Sequence, residues 1–187
     1  MNHSTAIHLL LLLFLTTAAA ASETEKDGKQ RFAPVADLAG HCWMGTFENG
    51  ARDVHCYEWA LQAGFLRDRH QVTGGEGVYA GETFYGWDEA AGRLHFWYFN
   101  TLGGVSEGDV VRAEDGRWIF VESYEGGGGS LQLRTAFQRP DETSYAVVTE
   151  ILRDGAWVPE REVVYRHLDV RPAATGARDG PGRGDSR

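Results

Sequence analysis

The sequence predicts an all-β domain, an antiparallel up-and-down β-barrel of about ten strands. Three observations predict it. From Cys42 onward, short aromatic and β-branched runs recur, separated roughly every 8 to 12 residues by turn signals. No amphipathic helical segment of useful length interrupts them. Almost every connection is short enough for a hairpin, so sequential strands should be antiparallel neighbours. Ten strands in that order leave two open edges unless the sheet closes on itself around an interior, which removes them. A two-sheet sandwich is the alternative.

Taken from the N-terminus, Met1 to Ala21 reads as an export signal. It has no acidic residue, an apolar run at Ile7 to Leu15 broken only by His8, and a small-residue stretch at Thr16 to Ala21. The apolar run is about half of the ~20 residues a spanning helix needs, so no membrane span is expected after signal removal. Residues 22–34 are charged without an apolar pattern and read as a disordered linker; residues 170–187, rich in Gly, Pro, Arg and Asp, read as a disordered tail. The barrel domain is assigned to 35–169. The expected location is periplasmic or secreted. With 27 Asp and Glu against 18 Lys and Arg, and a net charge of −9, the chain is poorly suited to nucleic acid or anionic membranes.

The turns are explicit: Asn49-Gly50, Ala63-Gly64, Gly74-Gly75, Asp88 to Gly92, Gly103-Gly104, Asp115-Gly116, Gly126 to Gly129, Pro140-Asp141 and Asp154-Gly155. They bound strands at 42–47, 53–61, 65–72, 79–87, 93–101, 105–112, 117–124, 130–139, 143–153 and 157–168.

The first connection, Phe47 to Ala51, suits a three-residue hairpin with Gly50 in the left-handed region. Phe47 then pairs with Ala51, and stepping outward sets Cys42 opposite Cys56. In a non-hydrogen-bonded pair the Cα atoms lie ~4.5 Å apart, which accommodates a disulfide, and an oxidising compartment permits one. A two-residue Asn49-Gly50 turn would instead pair residue 43 with 56 and separate the sulfurs. The rival to a disulfide is a pair of unlinked buried thiols.

Reading the second connection, Gln62-Ala63-Gly64, in the same way pairs Leu61 with Phe65, Trp59 with Arg67, Tyr57 with Arg69 and His55 with Gln71. One face then holds Trp43, Phe47, His55, Tyr57, Trp59, Leu61, Phe65, Arg67 and Arg69; the other holds Glu58, Asp68 and His70 beside the cysteines. The first face is the more apolar and is expected to point inward. Arg67 and Arg69 would then enter the interior, where each guanidinium needs an acid, water or an anionic ligand group. The rival placement is at the rim or outside, simply solvated.

Strands four and five carry aromatics on both faces: Phe84, Trp97 and Phe99 on one, Tyr85, Trp87, Phe96 and Tyr98 on the other. Either a flank covers the second face or it is an exposed patch used for association. On the last strand, Tyr165 or Arg166 is placed to reach the cavity.

Recognised catalytic signatures are missing: no Gly-x-Ser-x-Gly, no phosphate loop, no dinucleotide fingerprint, no His-Glu-x-x-His. His41, His55 and His70 lie on consecutive strands, but the register above turns His70 away from the other two, so no metal site is expected. No cofactor is expected either, haem on His55, His95 or His167 being the alternative. His55 with Asp53 is the candidate acid/base pair for an isomerase or hydrolase.

The run Leu38-Ala39-Gly40-His41-Cys42-Trp43 resembles the Gly-x-x-Trp start of lipocalin-type barrels. Glu58-Trp59, Gly64-Phe65-Leu66, Tyr85-Gly86-Trp87-Asp88 and Tyr165-Arg166 are similar to a bacterial calycin-like family of unknown function, over roughly residues 37 to 167. The resemblance implies a ten-stranded barrel related to lipocalins, fatty-acid-binding proteins and nitrobindin-like haem proteins, with Trp43 at the closed end. It implies no activity. The Arg-x-Tyr carboxylate grip of fatty-acid-binding proteins is not reproduced.

The leading expectation is a binding protein for a small apolar or amphipathic ligand, held by Trp43, His55, Tyr57, Trp59, Arg67, Arg69 and Tyr165. The alternatives are an enzyme working through a few polar cavity residues, and an envelope interaction module.

Overall fold

The computed structural model describes residues 28, 30–75 and 77–168. The expected signal segment 1–21 and tail 170–187 lie outside the described residues. Ten strands follow one another: β1 (Cys42–Thr46), β2 (Arg52–Ala60), β3 (Phe65–Thr73), β4 (Tyr79–Asp88), β5 (Arg93–Asn100), β6 (Val105–Arg112), β7 (Trp118–Gly126), β8 (Gly129–Asp141), β9 (Ser144–Arg153) and β10 (Ala156–Leu168). Each pairs antiparallel with the next, and β10 returns to β1 through Cys42 with Leu168, Trp43 with His167 and Met44 with Arg166. The sheet closes as an up-and-down barrel, so among the described residues no strand edge is left to pair with another chain. No helix among the described residues is long and apolar enough to cross a membrane.

The first hairpin has the expected register. Gly50 takes φ +83°, Phe47 N donates to Ala51 O at 2.8 Å, and Asn49 Oδ1 accepts from Ala51 N. Cys42 falls opposite Cys56, and the two form a disulfide with Cα atoms 4.1 Å apart.

The second hairpin differs by one residue. Its turn is four residues long, with Leu61, Gln62 and Ala63 all in the left-handed region at φ +50°, +58° and +63°. Ala60 therefore pairs with Phe65, Glu58 with Arg67, Tyr57 with Asp68, Cys56 with Arg69 and His55 with His70. A slip of one residue turns every side chain of a strand to the other face. On β3 the interior thus receives Leu66, fully buried, with Asp68, His70 and Val72. Arg67 and Arg69 go outside, which corrects their expected place in the cavity. There Arg67 is paired with Glu58, on which Arg69 also lies at 3.2 Å, and Glu82 stands across on β4. A cation opposite a carboxylate on the solvent face needs no interior partner, and this is why the outer placement wins.

Strands β4 and β5 divide their aromatics as the alternation requires. Tyr85 pairs with Phe96 and Thr83 with Tyr98 on the inner face, while Phe84 pairs with Trp97 outside and Phe99 is exposed. In β10 a bulge between Pro159 and Arg161 shifts the register against β9. It falls at the proline, which has no N–H to give a ladder, and beyond it Arg161, Val163 and Tyr165 face inward.

One end of the barrel is stoppered by the chain that precedes β1. Phe32, Val35 and Leu38 are buried, the last in a short 3-10 turn over Ala36–Leu38, so packing begins ahead of the expected start at 35. Gly40 N donates to Tyr57 O at 2.7 Å and Tyr57 N to His41 O at 3.0 Å, which pins the segment along β2. Trp43, 1% exposed, lies above this stopper, with its indole N–H directed at Leu38 O.

Candidate functional site

Above the stopper the barrel encloses a cavity of about 590 Å³. Its wall is divided. Phe96, Phe120, Phe137, Leu133 and Val147 supply an apolar side, while β2, β3 and the strands flanking them supply a polar one. The division follows from alternation: Asp53, His55 and Tyr57 are the inward residues of β2, and Asp68 and His70 those of β3.

Asp53 is the centre of the polar wall. His55 Nε2 donates to Asp53 Oδ2 at 3.0 Å, Tyr165 OH donates to the same oxygen at 2.8 Å, and His70 Nδ1 meets Oδ1 at 3.0 Å. The far nitrogens of both imidazoles are engaged too. His55 Nδ1 donates to Asp68 Oδ2 at 2.7 Å, and His70 Nε2 lies 3.0 Å from Tyr98 OH, itself 2.6 Å from Tyr79 OH. The two imidazoles stack with centroids 4.8 Å apart.

Two glycines make room for this cluster. A Cβ on Gly45 would stand 2.5 Å from Val163 and 2.8 Å from the ring of Tyr165; one on Gly81 would stand 2.5 Å from Tyr98 and 2.8 Å from His70 Nε2. Contacts this short do not occur at real Cβ atoms, so any side chain there displaces Tyr165 or the His70–Tyr98 pair.

The charges are set by the neighbours. Burial would raise the Asp53 carboxyl, but the hydrogen bonds and charges of His55 and His70 outweigh it and hold Asp53 well below the usual carboxylate range. Burial would lower His55; Asp68 and Asp53 reverse this and push it up to about 10. His55 therefore favours its cationic form between two carboxylates, a state in which it donates a proton rather than accepts one. Burial, then the charge of Asp68, raises the phenols of Tyr57, Tyr85 and Tyr145 well above 10 and keeps them neutral. On the far wall Glu122 accepts from the Ser106 hydroxyl and faces the same space as Arg161.

Of the seven residues read from the sequence as a ligand site, His55, Tyr57 and Tyr165 line the cavity. Trp43 lies below it, with its ring 5.4 Å from Tyr145, and Trp59 is 39% exposed with its ring edge-on to Phe32 at 5.1 Å. Arg67 and Arg69 are outside. Of the histidines considered for haem, His95 is turned outward onto Asp109 and His167 lies at the closed end against Trp43 and His41. The third, His55, lines the cavity between Asp53 and Asp68. The expected separation of His55 from His70 is overturned with the register of the second hairpin.

Sequence reasoning left Asp68, His70, Tyr98 and Glu122 out of the site. The signal that finds the first two is the outer face: Arg67 and Arg69 alternate with Glu58 and Glu82 across neighbouring strands, and that pairing turns Asp68 and His70 inward. No family model matches the chain, and no curated protein matches it.

Proposed function

We propose that this chain is an exported binding protein that holds a small, largely apolar molecule with a hydrogen-bonding end inside the barrel, as expected of a bacterial calycin-like protein. The observation that carries the reading is the divided cavity of about 590 Å³, in the size range of small-molecule sites, with aromatic and aliphatic side chains facing a compact polar wall. Arg67 and Arg69 lie outside, so an anionic end would have Arg161 alone among the described arginines to meet it, opposite Asp53, Asp68 and Glu122; an uncharged polar end is the reading preferred. The wall offers it Tyr57, Tyr145 and the Asp68 carboxylate. The Cys42–Cys56 disulfide supports a periplasmic or extracellular location, since such bonds persist where thiols are not kept reduced.

The test is titration with an uncharged apolar fluorophore whose emission rises on leaving water. Saturable enhancement is expected, and Leu133→Trp, which fills the apolar side, weakens it at least tenfold (about 1.4 kcal/mol). The Arg67→Ala/Arg69→Ala double variant binds as the parent does. Equal binding by Leu133→Trp, or loss in the double arginine variant, would place the probe outside the barrel and sink the reading.

A further inference from the structure

We propose that Asp53, His55 and His70 form a binding site for a divalent transition-metal ion, zinc being the simplest occupant, on the wall of the cavity. One donor atom from each lies within 4.8 Å of those of the other two. Both imidazoles present a nitrogen to Asp53, His55 Nε2 to Oδ2 and His70 Nδ1 to Oδ1, each at 3.0 Å. Zinc bound at ~2.0–2.1 Å spaces its tetrahedral ligands by ~3.4 Å, so the two imidazole nitrogens and the carboxylate need only small rotations to share an ion.

The surroundings are those a metal site requires. A ligating imidazole is held by a hydrogen bond at its other nitrogen, commonly from a carboxylate. Here Asp68 Oδ2 accepts from His55 Nδ1 at 2.7 Å and Tyr98 OH stands 3.0 Å from His70 Nε2. Gly81 keeps the latter pair clear of a Cβ, and Gly45 does the same for Tyr165 against Asp53.

Asp68 is the outer partner of His55. It is 2% exposed, and its Oδ1 is buried without a hydrogen-bond partner although it borders the cavity. A buried carboxylate oxygen with no donor is costly and calls for one. Asp68 lies on the Nδ1 side of His55 and the ion on the Nε2 side, so Asp68 holds the ligand from behind, while three protein ligands leave at least one position on the ion for water or a ligand group. As a purely structural device the cluster is poor, because buried charged groups are often replaced by apolar ones with no loss of stability. Two imidazoles and a carboxylate suit zinc and its first-row neighbours rather than calcium or magnesium. The ion would sit where the hydrogen-bonding end of a ligand meets the wall, but its binding does not depend on any apolar ligand.

The experiment uses chelator-stripped protein at about pH 8, titrated with Co²⁺ and then Zn²⁺; the ion takes the place of the proton on His55 Nε2, so uptake releases protons. The expected result is one ion per chain, a visible ligand-field band from bound Co²⁺ that Zn²⁺ abolishes, and Zn²⁺-induced shifts of the His55 and His70 ring nitrogens in the NMR spectrum. His70→Ala weakens binding at least 100-fold, Asp68→Asn at least tenfold, and His41→Ala has no effect. Failure of the unaltered protein to take up either ion stoichiometrically overturns the proposal without recourse to any variant. So does binding that survives His70→Ala but is lost in His41→Ala, which would assign the ion to the His41–His167 pair at the closed end.

Discussion

Glu122 sits on β7 with its carboxyl in the cavity, accepting from Ser106, whose own side chain is buried. Burial raises its pKa above the usual 4.5, against the opposing hydrogen bond of Ser106 and the charge of Arg161. The folded state therefore holds this proton more tightly than the unfolded chain does. A carboxyl with a raised folded pKa contributes stability that is fully present below the unfolded value and lost as pH rises through the folded one. Glu122→Gln keeps the hydrogen-bonding shape without the charge, so it is expected to be more stable than the parent at neutral pH. The advantage disappears at about pH 4, where the parent carboxyl is itself protonated. Urea midpoints at the two pH values check this, and an advantage that does not change with pH would mean that the charge of Glu122 is compensated in the fold.

The two N-terminal hairpins show what a turn sequence can and cannot specify. In the first, Asn49-Gly50 puts the glycine at the residue that needs φ > 0, and the register follows, together with the disulfide. In the second, Gly64 looks like the same signal, yet the left-handed positions fall on Leu61, Gln62 and Ala63. Gly64 stands one position past the residues that need φ > 0, and a three-residue turn ending on it would put Asp68 and His70 outside. The barrel itself was legible because nine turn signals and the alternation of ten strands do not depend on any single register. The site was not legible, because it depends on this one. A non-glycine residue in the left-handed region is disfavoured by ~1–2 kcal/mol, while glycine brings an entropic cost of ~0.5–1 kcal/mol. Ala63→Gly, at an exposed position, is therefore expected to stabilise the protein by about 0.5–1 kcal/mol in urea unfolding. A loss of stability would show that the turn is held by contacts of the alanine methyl.

At the scale of the whole molecule, closure leaves a barrel with two ends, and no periodic pattern in the sequence marks how either is sealed. The stopper is built from Phe32, Val35 and Leu38, apolar residues too few and too irregularly spaced to stand out from the charged flank before them. Their effect is nevertheless global. They cover Trp43, tie the entering chain to β2, and make the cavity a pocket with a floor instead of a channel. Unseating the segment then opens the floor while leaving the strand ladders intact, because among the described residues no strand depends on it for its backbone hydrogen bonds beyond the Gly40, His41 and Tyr57 contacts. Val35→Asp/Leu38→Asp places two carboxylates where burial without partners is prohibitive. The indole N–H of Trp43, which points at Leu38 O from 3.4 Å, is then expected to exchange with solvent at least tenfold faster, while the amides of β7 and β8 remain protected. Unchanged protection of that indole would mean that Trp43, Tyr145 and Phe137 close the barrel by themselves and that the stopper only covers them.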